Sequence, residues 1–298
     1  MIRLVVLGTS ASLPTKEHLP SCFAVKFEKV LLFDACEAVQ RQLMKYGVSF
    51  AQVRCVFLSH LHADHFLGLF GLVQTLNMSG RQSELLVVGP KGTAKMLETI
   101  FSLKQLKANF PIKIVEASGL EKKPVFEAEN YGVYAFPVKH GIDALGYVLQ
   151  ENEKRRFDKA KCDLAGVRGR LFYELQEKKS VVVGKKTVRL NDVTYLQPGK
   201  KIVYTGDTSF FAGLKKKFGN ADLVVSDCTF LEEHAALAKE KQHCTAKKIA
   251  GCAKAAGARK LLITHFSNRY EDRQPLLEEA KAEFAETVLA QEGLELMV

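Results

Sequence analysis

Short apolar runs recur along the chain, most of them too brief to be helices. Residues 2–7, 23–33, 53–58, 85–88, 131–136, 145–150, 201–205, 222–226 and 260–264 are rich in Val, Ile, Leu, Phe and Tyr and stop at turn-forming residues. This predicts β-strands. Between them apolar positions recur at three- and four-residue spacing: Phe66, Leu69, Phe70, Val73 and Leu76; Ala94, Leu97 and Ile100; Ile249, Cys252, Ala253 and Ala256. That is the period of one helix face. The class is α/β (α+β in some schemes), with helices covering sheets and polar side chains on the loops that leave strand ends.

Composition narrows the reading without changing it. The 298 residues are 47% hydrophobic and 26% charged, with no repeat and no Gly/Ser or Pro tract to mark a linker, so one domain over 1–298 is expected. The seven cysteines are scattered and lack the close pairing of zinc ribbons or redox motifs, which reads as buried reduced thiols in a cytoplasmic protein. The run Ile2–Leu7 reads as a first strand, shorter than the apolar core of a signal peptide. No stretch has the roughly 18 apolar residues that cross a bilayer, so no membrane association is expected.

A net charge of +10 draws anionic partners. Its distribution is uneven. Lys154, Arg155, Arg156, Lys159, Lys161, Arg168 and Arg170 stand against Asp158 and Asp163, seven charges less two, which is half the chain's excess in one short segment.

The strongest chemical signal follows the apolar run 53–58, where His60, His62, Asp64 and His65 fall within six residues. In an extended loop His60 and His62 project the same way, while Asp64 and His65 open the helix that follows. A single histidine here would be an ordinary polar loop residue and Asp64 an ordinary cap. Four together suit zinc or a similar cation, and two facing ligand pairs suit two ions. Completing both shells takes residues from later strand ends, and His140, Asp207 and His265 each follow an apolar run.

With these residues in view, the chain resembles the metallo-β-lactamase superfamily and, within it, is similar over its whole length to the ribonuclease Z family of tRNA 3′-processing endonucleases. The resemblance rests on Leu7–Pro14 (LGTSASLP), on Asp34 with Glu37 and Gln40, on HLHADH, on Tyr204–Thr208 (YTGDT), on His243-Cys-Thr245 and on Thr264–Tyr270 (THFSNRY). It implies a four-layer αβ/βα sandwich of two mixed sheets. It implies two Zn2+ per subunit, or Mn2+ or another divalent ion in their place, with His60, His62 and His140 holding one, Asp64, His65 and His265 the other, and Asp207 bridging. The implied nucleophile is a hydroxide between the ions, oriented by Asp64, with His243 as the acid that protonates the departing 3′ oxygen. The segment from about 151 to 180 stands where the family carries its inserted flexible tRNA-gripping arm, so its seven basic residues are expected to meet backbone phosphates, with Phe157, Phe172 and Tyr173 packing it or stacking on bases. Lys16 falls in the loop expected at the tRNA 3′ end. The expected partners are precursor tRNA and a second copy of the chain in a homodimer.

The chain also departs from the family. Cys36 and Ala38 replace glycines beside the expected metal loop, and Ser226-Asp-Cys-Thr-Phe230 stands where the family has His-Glu-Ala-Thr-Phe. Neither change removes a ligand. One fold carries many chemistries, so the alternative is a hydrolase of a small or cyclic phosphodiester. A non-catalytic binding module would be expected to have lost some of the seven ligands.

Overall fold

The computed structural model describes residues 1–298 and divides them into two compact units, Met1–Gln150 with Lys201–Val298, and Glu151–Lys200.

The first unit is built on two seven-stranded mixed sheets. One runs in the order Glu295–Met297, Arg3–Gly8, Cys22–Lys26, Val30–Phe33, Val53–Phe57, Leu85–Gly89, Ile112–Glu116. Its first four strands pair antiparallel and the remainder parallel. The other runs Thr287–Leu289, Leu261–Thr264, Leu223–Asp227, Lys201–Tyr204, Leu145–Glu151, Tyr131–Pro137, Phe126–Glu127.

Period-two alternation explains the layering. Leu4, Val6, Phe23, Val25, Leu31 and Phe33 pack in one core with Tyr147, Ile202 and Tyr204 of the opposite sheet. Their chain neighbours Val5, Leu7, Ala24, Val30 and Leu32 point the other way, into a second core with Leu69, Leu72, Val73 and Leu76 of the helix Ala63–Met78. Strands buried on both faces carry continuous apolar runs, hence Val-Leu-Leu-Phe at 30–33 and Leu-Leu-Val-Val at 85–88. Outside the second sheet lie the helices Ala246–Ala255 and Gln274–Glu283, whose buried faces are Ile249, Ala250, Ala253, Leu276 and Ala280. The result is helix, sheet, sheet, helix.

The sequence predicted one strand over 23–33. The structure has two, Cys22–Lys26 and Val30–Phe33, paired as a hairpin around Phe27–Lys29. The remaining predicted strands and the three helical faces appear with boundaries moved by a residue or two.

The second unit has its own small core, in which Cys162, Val167, Leu175, Val181, Val188, Leu190 and Val193 are buried together. Two short helices, Lys159–Leu164 and Arg170–Lys178, join an antiparallel pair Lys154–Phe157/Thr194–Gln197 and a hairpin Ser180–Val183/Lys186–Arg189. All seven cysteines of the chain are buried and free.

Candidate metal centre

Strand ends of both sheets deliver the site. The strand Val53–Phe57 runs into Ser59, His60 and His62, and His62 precedes the helix whose first turn carries Asp64 and His65. His140 follows the strand Tyr131–Pro137, Asp207 follows Lys201–Tyr204 and His265 follows Leu261–Thr264. Gly206, at φ +58°, turns the chain toward Asp207, and a Cβ there would stand 2.5 Å from that of Ser59.

Ligand atoms converge in four overlapping groups. His60, His62 and His140 form one and Asp64, His65 and His265 another, while Asp207 joins His60 and His65 in a third and His243 and His265 in a fourth, the ligand atoms of each lying within 4.8 Å of one another. Asp207 belongs to both sides: its Oδ2 is 3.8 Å from His60 Nε2, 3.5 Å from His65 Nε2 and 3.0 Å from His265 Nε2. His62 Nδ1 lies 2.9 Å from His60 Nε2 and 3.3 Å from His140 Nε2.

The rings are fixed from behind. Asp34 Oδ2 holds His65 Nδ1 at 2.7 Å, Ser59 Oγ reaches His60 Nδ1 at 2.9 Å, and Thr229 Oγ1 reaches His265 Nδ1 at 3.0 Å. With Nδ1 engaged, Nε2 faces the centre, the arrangement that orients metal-binding histidines. The Nε2 atoms of His65 and His265 are buried with no hydrogen-bond partner. A buried imidazole nitrogen without a partner is costly unless something takes its lone pair. A cation does so, and the donor set of imidazoles and carboxylates is one that binds zinc.

Electrostatics agree. Burial, with the nearby histidines, pushes His60 well below its usual range, so its ring is neutral, the form in which imidazole can bind a metal. Burial alone would raise Asp207, but His265 and His65 outweigh it and hold the carboxyl well below the carboxylate range. Burial opposes a charge on His65, yet Asp207 and Asp34 raise its pKa well above the ordinary value. The field that would hold a proton on His65 is one that attracts a cation.

His243 enters the same pocket, just before the helix Ala246–Ala255, which Thr245 caps through Lys248 N. Its Nδ1 lies 2.7 Å from Asp227 Oδ2, and its ring is 5.1 Å from that of His265 and 5.3 Å from that of His140. Burial would lower its pKa, but Asp227 and Asp207 push it up to about 9. The pocket, about 360 Å3, is also bordered by Ser12, Leu13, Lys241 and Arg269.

The two departures resolve structurally. Ala38 adopts φ +55°, ψ 25°, so the left-handed turn persists without glycine. Asp227, though shorter than glutamate, reaches His243 and also accepts from the backbone N–H of Thr208 and Thr229, both at 3.0 Å.

The basic residues of 151–180 differ in their side-chain partners. Lys154 pairs with Glu151 at 2.5 Å, Arg155 donates to Asn191 at 2.8 Å and Thr194 at 2.9 Å, and Arg156 donates to Gln197 at 3.0 Å. Arg170 pairs with Glu174 at 3.3 Å, and Lys161 lies 3.8 Å from Asp158. Lys159 and Arg168 are exposed. Phe157 and Phe172 pack edge-to-face against each other, whereas Tyr173 is 66% exposed. Lys16 sits on an exposed turn of the loop whose Ser12 and Leu13 border the metal pocket.

Sequence reasoning missed Ser59, Thr229 and Tyr204 and gave Asp34 no role. Asp34 carried the same signal as the ligands, a polar residue directly after an apolar strand.

Two facing mixed sheets between helix layers, with a histidine and aspartate cluster at their strand ends, define a protein of the metallo-β-lactamase fold. A solved protein of that fold, YhfI from Bacillus subtilis, matches with a TM-score of 0.73 and 19% identity over 99% of this chain and 98% of its own. Human tRNase Z, short form, matches with a TM-score of 0.71 and 24% identity over 99% and 98%. The ribonuclease Z of Methanosarcina acetivorans is 38% identical over 100% of this chain and 98% of its own length. The family model described as Anti-Pycsar protein Apyc1 matches residues 2–289. The chain belongs to the family of that model and to the ribonuclease Z proteins.

Proposed function

We propose that the protein is a metal-dependent endoribonuclease that removes the 3′ trailer from precursor tRNA and leaves a 3′-hydroxyl on the tRNA. The observation that carries this reading is the pair of three-ligand groups joined by Asp207, in a chain 38% identical over its full length to a ribonuclease Z.

His60, His62 and His140 would hold one Zn2+, Asp64, His65 and His265 the other, with Asp207 shared. Two such ions would supply the positive charge that lets water give up a proton near neutral pH and that offsets the charge gathering on a phosphodiester under attack. The chain's residues do the rest. Asp64 orients the attacking water, which releases a proton to solvent as its oxygen joins phosphorus and the bond to the tRNA 3′ oxygen breaks. His243, kept protonated by Asp227, gives that oxygen its proton. Lys159 and Arg168, exposed and outside the side-chain pairs described above, and Lys16 pair with RNA phosphates, with Lys154, Arg155, Arg156, Lys161 and Arg170 adding to the field. The working form is a cytoplasmic homodimer. No helix is long and apolar enough to cross a membrane.

Incubating the purified protein with a 3′-extended tRNA, with and without chelator, tests this. Cleavage at the trailer junction that chelation abolishes, and that Asp64→Ala lowers at least 100-fold, is expected. Unchanged cleavage by Asp64→Ala overturns the mechanism.

A second reading, hydrolysis of a small or cyclic phosphodiester, draws on the fact that every residue of the metal centre lies in the first unit. Replacing residues 151–200 by a short Asn-Gly turn separates the two. Loss of tRNA cleavage with retained hydrolysis of a small phosphodiester favours the first; hydrolysis of a small phosphodiester by both forms, with tRNA cleaved by neither, favours the second.

A further inference from the structure

Beside the metal pocket lies a larger cleft of about 1000 Å3, and His140 borders both. Its size is at the upper end for sites that take one small ligand. Lys91, Lys139 and Lys239 come to it from three separate places in the chain, and all three are exposed. Lys91 stands in the turn before the helix Thr93–Phe101, Lys139 precedes the ligand His140, and Lys239 lies on the helix Ala235–Lys241.

Three acids border the same space, so charge count alone decides nothing. Two of them are engaged. Glu116 accepts the backbone N–H groups of Gly92 and Ala94, both at 2.9 Å, and Glu121 accepts that of Ser118 at 2.7 Å. Asp143 is the third. The lysine ammonium groups retain donors for an incoming anion; Lys139 meets only the face of Phe211, 5.9 Å from the ring centroid. Ile142, 40% exposed, adds an apolar wall.

Chemistry sets the direction. In the reaction proposed above the leaving oxygen belongs to the tRNA body and takes its proton from His243, which opens into the smaller pocket and does not border the cleft. The body's 3′ end therefore belongs on the His243 side. The strand that keeps the phosphate departs by another way, and the cleft opens past His140.

We propose that the cleft lined by Lys91, Lys139 and Lys239 binds the phosphates of the single-stranded RNA on the 3′ side of the cut. This rests on the endoribonuclease reading, and the cleft sets preference by trailer length.

The test uses two precursor RNAs with one tRNA body, carrying trailers of one and of about eight nucleotides. Full-length protein, the triple variant K91A/K139A/K239A and a control, K95A, outside the cleft, are compared for cleavage and, in chelator, for equilibrium binding. Wild type and K95A are expected to favour the long trailer in both kcat/KM and binding. In the triple variant that long-to-short ratio should fall about tenfold, and the salt dependence of long-trailer binding should weaken by about 2 in log–log slope, at about 0.7 per lost single-strand phosphate contact. An unchanged ratio, or wild type with no preference between trailers, overturns the subsite. If wild type binds with the expected preference yet cuts neither RNA, the endoribonuclease reading fails while the subsite stands on the binding ratio.

Discussion

The carboxylate of Asp34 and the imidazole of His65 meet at 2.7 Å, Oδ2 to Nδ1, where solvent does not reach. Asp34 holds more than His65. It also accepts the Ser59 backbone N–H at 2.6 Å, the Ser59 hydroxyl at 2.8 Å and the Tyr204 hydroxyl at 2.6 Å, from a backbone at φ +60°. One carboxylate thus ties the metal loop of one sheet to a strand of the other. In Asp34→Asn the amide nitrogen cannot accept, so the cage loses a contact and His65 its fixed orientation. Zinc affinity, read by competition with a chelating indicator, should drop about 10–100-fold. Wild-type affinity in the variant would refute the orienting role.

Arg273 fastens the loop that borders the pocket. Its guanidinium donates to Thr9 Oγ1 at 2.8 Å and Ser10 Oγ at 3.2 Å, while the Glu292 carboxylate accepts the Leu19 N–H at 2.6 Å. Arg273→Ala leaves buried hydroxyls short of partners, at about 1–3 kcal/mol. Urea unfolding should show that loss, and proteolysis within 11–18 should quicken. Slow, unaltered proteolysis would mean that the backbone bonds from Thr9 and Ser10 to Leu19 suffice.

Ala38 holds a left-handed conformation at φ +55°. A residue with a Cβ pays about 1–2 kcal/mol there, and glycine gives back part of that gain through its greater freedom in the unfolded chain. Ala38→Gly should raise unfolding free energy by about 0.5 kcal/mol. Destabilisation in thermal melts would show that the Ala38 methyl is worth more in packing than the strain it causes.

Asp227 keeps His243 protonated, so the proposed acid is present below its raised pKa of about 9 and is lost as pH rises through that value. Asp227→Asn removes the main raising influence and leaves burial, which lowers the pKa. The alkaline limb of the kcat/KM profile should move to lower pH by one unit or more. A limb that stays in place would assign it to another group.

Four of the seven candidate ligands were legible as a cluster within six residues, and His140, Asp207 and His265 because each is a polar residue following an apolar run; both are local patterns. Their supports were not. Thr229 meets His265 only because the parallel strands Leu223–Asp227 and Leu261–Thr264 align Asp227 with Thr264, and such register is invisible in a single chain. The hairpin at 22–33 was hidden because its turn, Phe27-Glu28-Lys29, holds neither glycine nor proline. Ile112–Glu116 and the two C-terminal strands escaped because they are short and only partly buried. In 151–200 the density of charge masked a hairpin that Val181 and Val188 pack into a core around a turn at Gly184.

Gln150 and Lys201 face each other as partners in adjacent strands. Fifty residues leave the chain and return at a single rung, where a tight turn would have served. Such an insertion sits at a hairpin tip, so its sequence is free to drift, lengthen or be exchanged for another while the strands on either side stay in register. The candidate ligands His140 and Asp207 stand beyond the opposite ends of those two strands, so a change in the insert leaves in place the backbone that carries them.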